Sequence, residues 1–344
     1  MSETNKRHHL SWWHIVFLAL LIVGTIWIVR QHSTMPYHHD RGMVFGTIYN
    51  ITYQHGDNLK KEIEEALHQV DLSLSPFNEQ SVISHINNNS DMKTDEMFRE
   101  VFELSKRVSA ATDGAFDITV APLVNAWGFG FKNGSMPNAN AVDSLLKLVG
   151  YDKVNINQQG FLTKTDPRVM LDCSAVAKGY GCDVVARLLR SHDVDNFMIE
   201  IGGEVVVRGQ NERRQSWRIG VSKPIDDSLR VSTEQQAILS ITDRAMATSG
   251  NYRNFYYKDG QKYAHTIDPH TGYPVSHTLL SATVLAHDCA TADAYATAFM
   301  VMGADRAKQL LSTHDELQAY LISAAPDGSY EVWYSPALES KLLP

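Results

Sequence analysis

What this sequence has little of narrows the question first. Only three cysteines occur, Cys173, Cys182 and Cys289, with no CxxC among them. Neither a zinc knuckle nor a disulfide framework is indicated, and the thiols read as packing residues. There is no dense Lys/Arg run, and the formal net charge is -8. A nucleic-acid partner would need a basic face to meet its phosphates, so that class is excluded as the main partner. No Leu-x-x-Cys lipobox stands near the N-terminus, which leaves a lipid anchor without support. The absence of a fixed-period repeat or a low-complexity tract sets aside solenoids and linker arrays. What remains, 44% hydrophobic and 20% charged, suits an ordinary globular body with a sizeable core.

One long hydrophobic run is present. "WWHIVFLALLIVGTIWIV", 12 to 29, is interrupted only by His14 and Thr25, close to the ~20 residues a spanning helix needs. Lys6 and Arg7 precede it and paired tryptophans open it, the pattern of a membrane anchor with the body outside the cytoplasm. A cleaved signal peptide would want a small-x-small site, which is missing. The expected organisation is a cytoplasmic segment 1–11, an anchor 12–29, a polar linker 30–42 and one α+β body 43–344.

Along the body, "MVFGTIYNITYQ" (43–54) alternates as a strand and 59–74 has helical spacing. Helices are expected near 94–111, 139–149 and 177–189. Strands are expected at 169–175, on both sides of Gly202-Gly203, at 217–222 and at 236–242. A hairpin is expected over 319–334 around Pro326-Asp327-Gly328. The stretch 114–130 reads as a structured loop.

Three clusters carry chemistry. In "DCATADAYATAFMVMG" (288–303), a helix capped by Asp288 and closed by Gly303 puts Ala290, Asp293 and Thr297 on one face. A carboxylate, a hydroxyl and a carbonyl are hard oxygen donors of the kind Mg²⁺ uses; by itself the stretch equally allows Asp293 to face solvent. In "LDCSAVAKGYG" (171–181), Asp172, Ser174 and Lys178 stand at the start of a helix, where N–H groups and an ammonium suit an anion, although neither the Walker nor the dinucleotide glycine pattern is matched. In 247–275, His265 follows a strand; an imidazole with its ordinary pKa near ~6.5 suits a general base, while the surrounding aromatics suit core packing as well.

Taken in order, "SPFNEQSVISHINN", "GAFDITVAPLVNAWGFG", "LDCSAVAKGYGCD", "IEIGGEVVVRG", "SGNYR", "HTIDPHTGYP" and "DCATADAYATAFMVMG" resemble the ApbE family of FAD:protein FMN transferases, from about Met43 to the C-terminus. The resemblance implies one T-fold-related body with mixed or antiparallel sheets and flanking helices. It implies Mg²⁺-dependent cleavage of FAD, with FMN passed to a Ser or Thr hydroxyl of an acceptor protein and AMP released. It implies Asp293 and Thr297 as side-chain metal ligands, Ala175 and Ala290 as backbone ligands, and His265 as the base. Met43, Phe77, Ala115, Phe116, Asp117, Asp172 and Lys178 are implied to line the FAD site. The implied partners are FAD and an acceptor with a flavinylation motif, by analogy a membrane redox-pump subunit. The implied place is the periplasmic side of a bacterial inner membrane, with one spanning helix in place of the lipid found on many relatives. An FAD pyrophosphatase would use the same residues, and a non-catalytic flavin-binding protein would need no metal ligands.

Overall fold

A strand reading Val205-Val206-Val207 has no polar face to give to water, so its sheet must be covered on both sides. The computed structural model, which describes residues 12–131, 136–225, 234–252, 255–258 and 261–343, builds such a sheet. The expected cytoplasmic segment 1–11 lies outside the described residues, as does Arg253 of the SGNYR cluster.

The chain opens with α1 (Trp12–Thr34), then β1 (Tyr37–Val44), β2 (Thr47–Gln54), α2 (Lys60–Leu74), α3 (Val82–Asn87) and α4 (Glu96–Ala111). Next come α5 (Ala121–Ala126), α6 (Ala139–Leu146), the short ribbon β3 (Val154–Ile156) and β4 (Leu162–Lys164), and α7 (Ala177–Ser191). Then follow β5 (Phe197–Ile201), β6 (Glu204–Arg208), β7 (Trp217–Ser222), β8 (Gln235–Ile241) and β9 (Arg244–Gly250). The last third holds β10 (Phe255–Lys258), β11 (Gln261–Ala264), β12 (Leu279–Ala286), α8 (Cys289–Leu311), β13 (Gln318–Ala324), β14 (Tyr330–Tyr334) and β15 (Leu342–Leu343).

Eight strands form the main sheet in the order β1-β2-β5-β6-β9-β12-β13-β14. Every pairing in it is antiparallel. Side chains alternate across it with the period of two that a pleated strand imposes. Val206, Ala245, Ile199 and Ile201 pack under α2 and α7, and Ala247, Ala282 and Val284 under α4 and α8. Val205, Val207, Met246 and Leu285 turn to the other face, against Trp217, Ile219 and Leu239 of the three-stranded sheet β15-β8-β7. Gly202 and Gly203, at φ 66 and 109, close β5 on β6, the backbone that a two-residue primed turn demands.

The structure departs from the sequence reading in several places. The expected strand 43–54 is broken by a turn at Phe45-Gly46, φ 51 and 70, that closes β1 on β2. Residues 37–42, expected as linker, are the first part of β1, paired residue by residue with β2; buried Asp40 accepts the Tyr53 hydroxyl at 2.9 Å. Tertiary pairing overrides a polar composition there. Residues 169–175 form no strand: the amide of Asn87 bonds both the N–H and the C=O of Leu171, at 2.7 and 2.8 Å, and takes the place of a neighbouring strand. The stretch 114–130 contains α5, and α6 stops at Leu146. Gly303 does break its helix, at φ 77, but the chain resumes helical geometry to Leu311. His277 Nε2 donates to the Met300 carbonyl at 2.7 Å at that kink.

Helix α1 belongs to neither sheet layer, and its large apolar side chains are exposed. Its segment Trp12–Arg30 has mean hydropathy 2.2 with none of it buried, and its 23 residues extend ~35 Å, enough for a ~30 Å hydrocarbon layer.

Candidate active site

Helix α8 begins at its cap, the Asp288 carboxylate accepting the Thr291 N–H at 2.8 Å. One and two turns on, Asp293 and Thr297 face a cavity of about 660 Å³. Asp293 is only 2% exposed, which removes the solvent-facing alternative. Its Oδ2 accepts the Gly179 N–H at 3.1 Å and lies 3.8 Å from Lys178 Nζ. The same ammonium is 3.1 Å from Glu204 Oε1.

This approach of α7 to α8 depends on Gly179. A Cβ at that position would overlap the Cys289 carbonyl oxygen and stand 2.9 Å from Asp293 Cβ, so only glycine lets the start of α7 reach the carboxylate. Burial raises Asp293, against the opposing pull of Lys178 and the Gly179 N–H. Burial also pushes Glu204 upward, with Asp293 adding to the rise and the Lys178 ammonium opposing it. Burial alone would lower Lys178, but Asp293 and Glu204 outweigh it and hold the ammonium above its usual range.

Around this charged floor the Thr297 and Ser249 hydroxyls share a hydrogen bond of 3.1 Å. Asp172 accepts the Ser174 N–H at 2.8 Å, and Asp117 accepts both the N–H and the hydroxyl of Thr119, at 2.8 and 2.7 Å. Burial raises both carboxyls above the ordinary aspartate value, against those hydrogen bonds. His265 follows the last residue of β11 and lines the same cavity. Phe129 meets its ring edge-on at 6.5 Å, and Tyr256, Tyr263 and Trp127 continue the stack at 5.1, 5.4 and 5.8 Å. The imidazole thus lies at the end of an aromatic ladder on the cavity wall.

Of the residues singled out from sequence, Phe77, Ala115, Phe116, Asp117, Asp172, Ala175, Lys178, His265, Asp293 and Thr297 all line this cavity. Phe77 is 70% exposed at its rim, with a ring for a flat ligand to cover. Two residues are not in the lining. Met43 stands 75% exposed on β1, and Phe45 and Gly46 of the following turn take the wall position instead. Ala290 is buried and donates its N–H to Asp183 at 2.8 Å, on a separate cleft between α4 and α7. Sequence reasoning missed Glu204, Ser249 and Phe129. A signal for Glu204 was there: a lone acid opening the otherwise apolar strand Val205-Val206-Val207, where charges are rarely buried without a partner.

Comparison with known proteins meets this geometry. The profile of the ApbE family matches residues 45–321. The chain is 36% identical over 304 residues to the FAD:protein FMN transferase of Vibrio cholerae, covering 85% of this chain and 89% of that one. Against the FAD:protein FMN transferase of Escherichia coli K12 it is 33% identical over 315 residues, covering 88% of each. The solved flavin transferase ApbE from Vibrio cholerae superposes with TM-score 0.80 at 33% identity, over 89% of this chain and 99% of that one. The apbe protein of Thermotoga maritima gives 0.75 at 28%, over 86% and 96%. Shared sequence over most of the length and a shared fold agree: the chain belongs to the ApbE family.

Proposed function

We propose that the protein takes FAD, transfers its FMN part to a Ser or Thr hydroxyl of an acceptor protein, and releases AMP. The activity is that of a flavin transferase, an enzyme with FAD and a protein as its substrates. The observation that carries the site assignment is the convergence of Asp293, Thr297, Lys178 and His265, from three separate parts of the chain, on one cavity.

The donor set suits Mg²⁺. Among the described residues no three His, Cys, Asp or Glu side chains gather as a closed metal cage. One buried carboxylate beside neutral hydroxyl oxygens, in a cavity with room for substrate, is what Mg²⁺ uses when phosphates and water complete its shell. Asp293 and Thr297 would hold it, with the Ala175 carbonyl on the same wall. When bound, the ion supplies charge neutralisation and Lewis-acid polarisation at the pyrophosphate. The protein's own residues do the rest. Lys178 presents a half-buried, charged ammonium to phosphate oxygens. His265 takes the proton from the acceptor hydroxyl as its oxygen bonds to the flavin-side phosphorus, while the P–O bond to AMP breaks. Phe77 offers an exposed ring face for a flat part of FAD, with the buried Phe116 behind the same wall.

We place α1 in the membrane as a single-pass anchor after a cytoplasmic segment 1–11, with the transferase body on the extracytoplasmic side of a bacterial inner membrane. Its length, hydropathy and lack of burial against the body support this. Incubating the full chain in detergent with FAD, Mg²⁺ and a protein carrying Asp-x-Ser/Thr-Gly-Ala-Ser/Thr tests the function. Flavin fluorescence on the acceptor in a denaturing gel is expected. AMP and free FMN with no labelled acceptor would mean a hydrolase instead.

A further inference from the structure

Two buried carboxylates, Asp293 and Glu204, stand either side of a single ammonium, that of Lys178. The distances are unequal. Lys178 Nζ is 3.1 Å from Glu204 Oε1, hydrogen-bonding range, and 3.8 Å from Asp293 Oδ2, a looser pairing. Glu204 is 2% exposed, and its Oε2 has no hydrogen-bond partner among the described residues. Glu204 directly follows the Gly202-Gly203 turn, where any side chain on Gly202 would press on Thr47 and on Lys178. Glu204 itself does not line the cavity, whereas Lys178 and Asp293 do. A buried acid held behind the site with spare acceptor capacity is costly unless it has a use.

We propose that Glu204 is a positioning residue that takes over the Lys178 ammonium when Asp293 is engaged by a cation. The inference rests on the reading of Asp293 as a cation ligand. With no cation, Lys178 partly neutralises Asp293. A cation at Asp293 repels the ammonium, and without another acceptor the half-buried Lys178 would be left unpaired beside it, a penalty charged against cation binding. Glu204 removes that penalty. Its free Oε2 gives the ammonium a second oxygen to move onto, and Lys178 stays charged on the cavity wall where phosphate oxygens arrive. The site then carries its lysine and its cation side by side, which two positive charges would otherwise oppose.

The test is Mg²⁺ binding by titration calorimetry on the full chain in detergent micelles, without FAD, with circular dichroism as the check on folding. Glu204→Gln leaves Lys178 with Asp293 alone, so Mg²⁺ should bind on the order of tenfold more weakly, the cost of leaving a half-buried ammonium without its partner. Glu204→Asp keeps the charge but shortens the reach, and should weaken Mg²⁺ in the same direction. In a Lys178→Met background the Glu204→Gln change should have little further effect, because there is no ammonium to house. If Glu204→Gln weakens Mg²⁺ by the same factor with and without Lys178, or Glu204→Asp binds as wild type does, Glu204 acts only through its charge and the proposal is overturned. Should wild type and Asp293→Asn bind Mg²⁺ alike, the cation reading of Asp293 fails first and takes this inference with it.

Discussion

Replacing Gly179 by alanine probes the contact that builds the site. The added methyl would overlap the Cys289 carbonyl oxygen and stand 2.7 Å from its carbon and 2.9 Å from Asp293 Cβ. Two of those three neighbours are backbone of α8, which cannot swing aside as a side chain can. The start of α7 must therefore move away, and the 3.1 Å bond from the Gly179 N–H to Asp293 breaks. Overpacking a tight contact costs about 1–3 kcal/mol, and a lost hydrogen bond to a carboxylate about 1.5–3 kcal/mol. Alanine's better helix propensity returns at most ~1 kcal/mol. The balance is a loss of roughly 2–5 kcal/mol, or a melting temperature lower by roughly 5–15 °C. Thermal unfolding followed by circular dichroism reads this, with AMP release against Mg²⁺ concentration on the same sample. Gly56→Ala, where the methyl meets nothing within 4 Å, is the control and should be neutral. If Gly179→Ala melts with wild type and needs no more Mg²⁺, the α7–α8 approach does not position Asp293 and the account of the site is wrong.

Asp293→Asn should keep the fold yet raise the Mg²⁺ needed for AMP release sharply, with Thr297→Val milder and partly rescued at high Mg²⁺; superimposable titrations would remove both from the metal site. His265→Ala should leave FAD binding, read by flavin fluorescence quenching, nearly intact and slow transfer ~10²–10⁴-fold; lost binding with unchanged turnover at saturating FAD would make it a binding residue. Asp183 accepts the first N–H groups of α8 from Cys289 and Ala290 at 2.8 Å each, and burial pushes it up to about 7 despite them. An acid whose pKa is raised on folding adds stability that is full below its unfolded value near ~4 and is lost as pH climbs through 7. Urea midpoints should therefore fall between pH 5 and 8, and Asp183→Asn should flatten that slope; an identical slope in the variant would contradict the assignment. A reporter active only in the cytoplasm, fused after Pro344, should be silent; activity would reverse the orientation given to α1.

Some of this protein follows from local chemistry alone. The start of α1 is written in its apolar composition, though the helix runs past the expected Val29 to Thr34, the start of α8 in the Asp288 cap, the β13–β14 hairpin in Pro326-Asp327-Gly328, and the face shared by Asp293 and Thr297 in their four-residue spacing. The family motifs carried most of the cavity wall in the same way, because each is a short segment whose residues are neighbours in sequence. What is not legible is whatever depends on a partner far along the chain. The polar residues 37–42 become a strand only because β2 pairs with them, and 169–175 do not become one where Asn87 takes both the N–H and the C=O of Leu171. The α8 stretch could not say whether Asp293 is wet or dry; α7, brought to it by the glycine at 179, decides that. Glu204 stands 89 residues before Asp293, and only the turn after β5, folded beside α7, sets it behind Lys178. Periodicity reports which way a side chain points from its own element, whereas the charge it meets there is set by the packing of elements against one another.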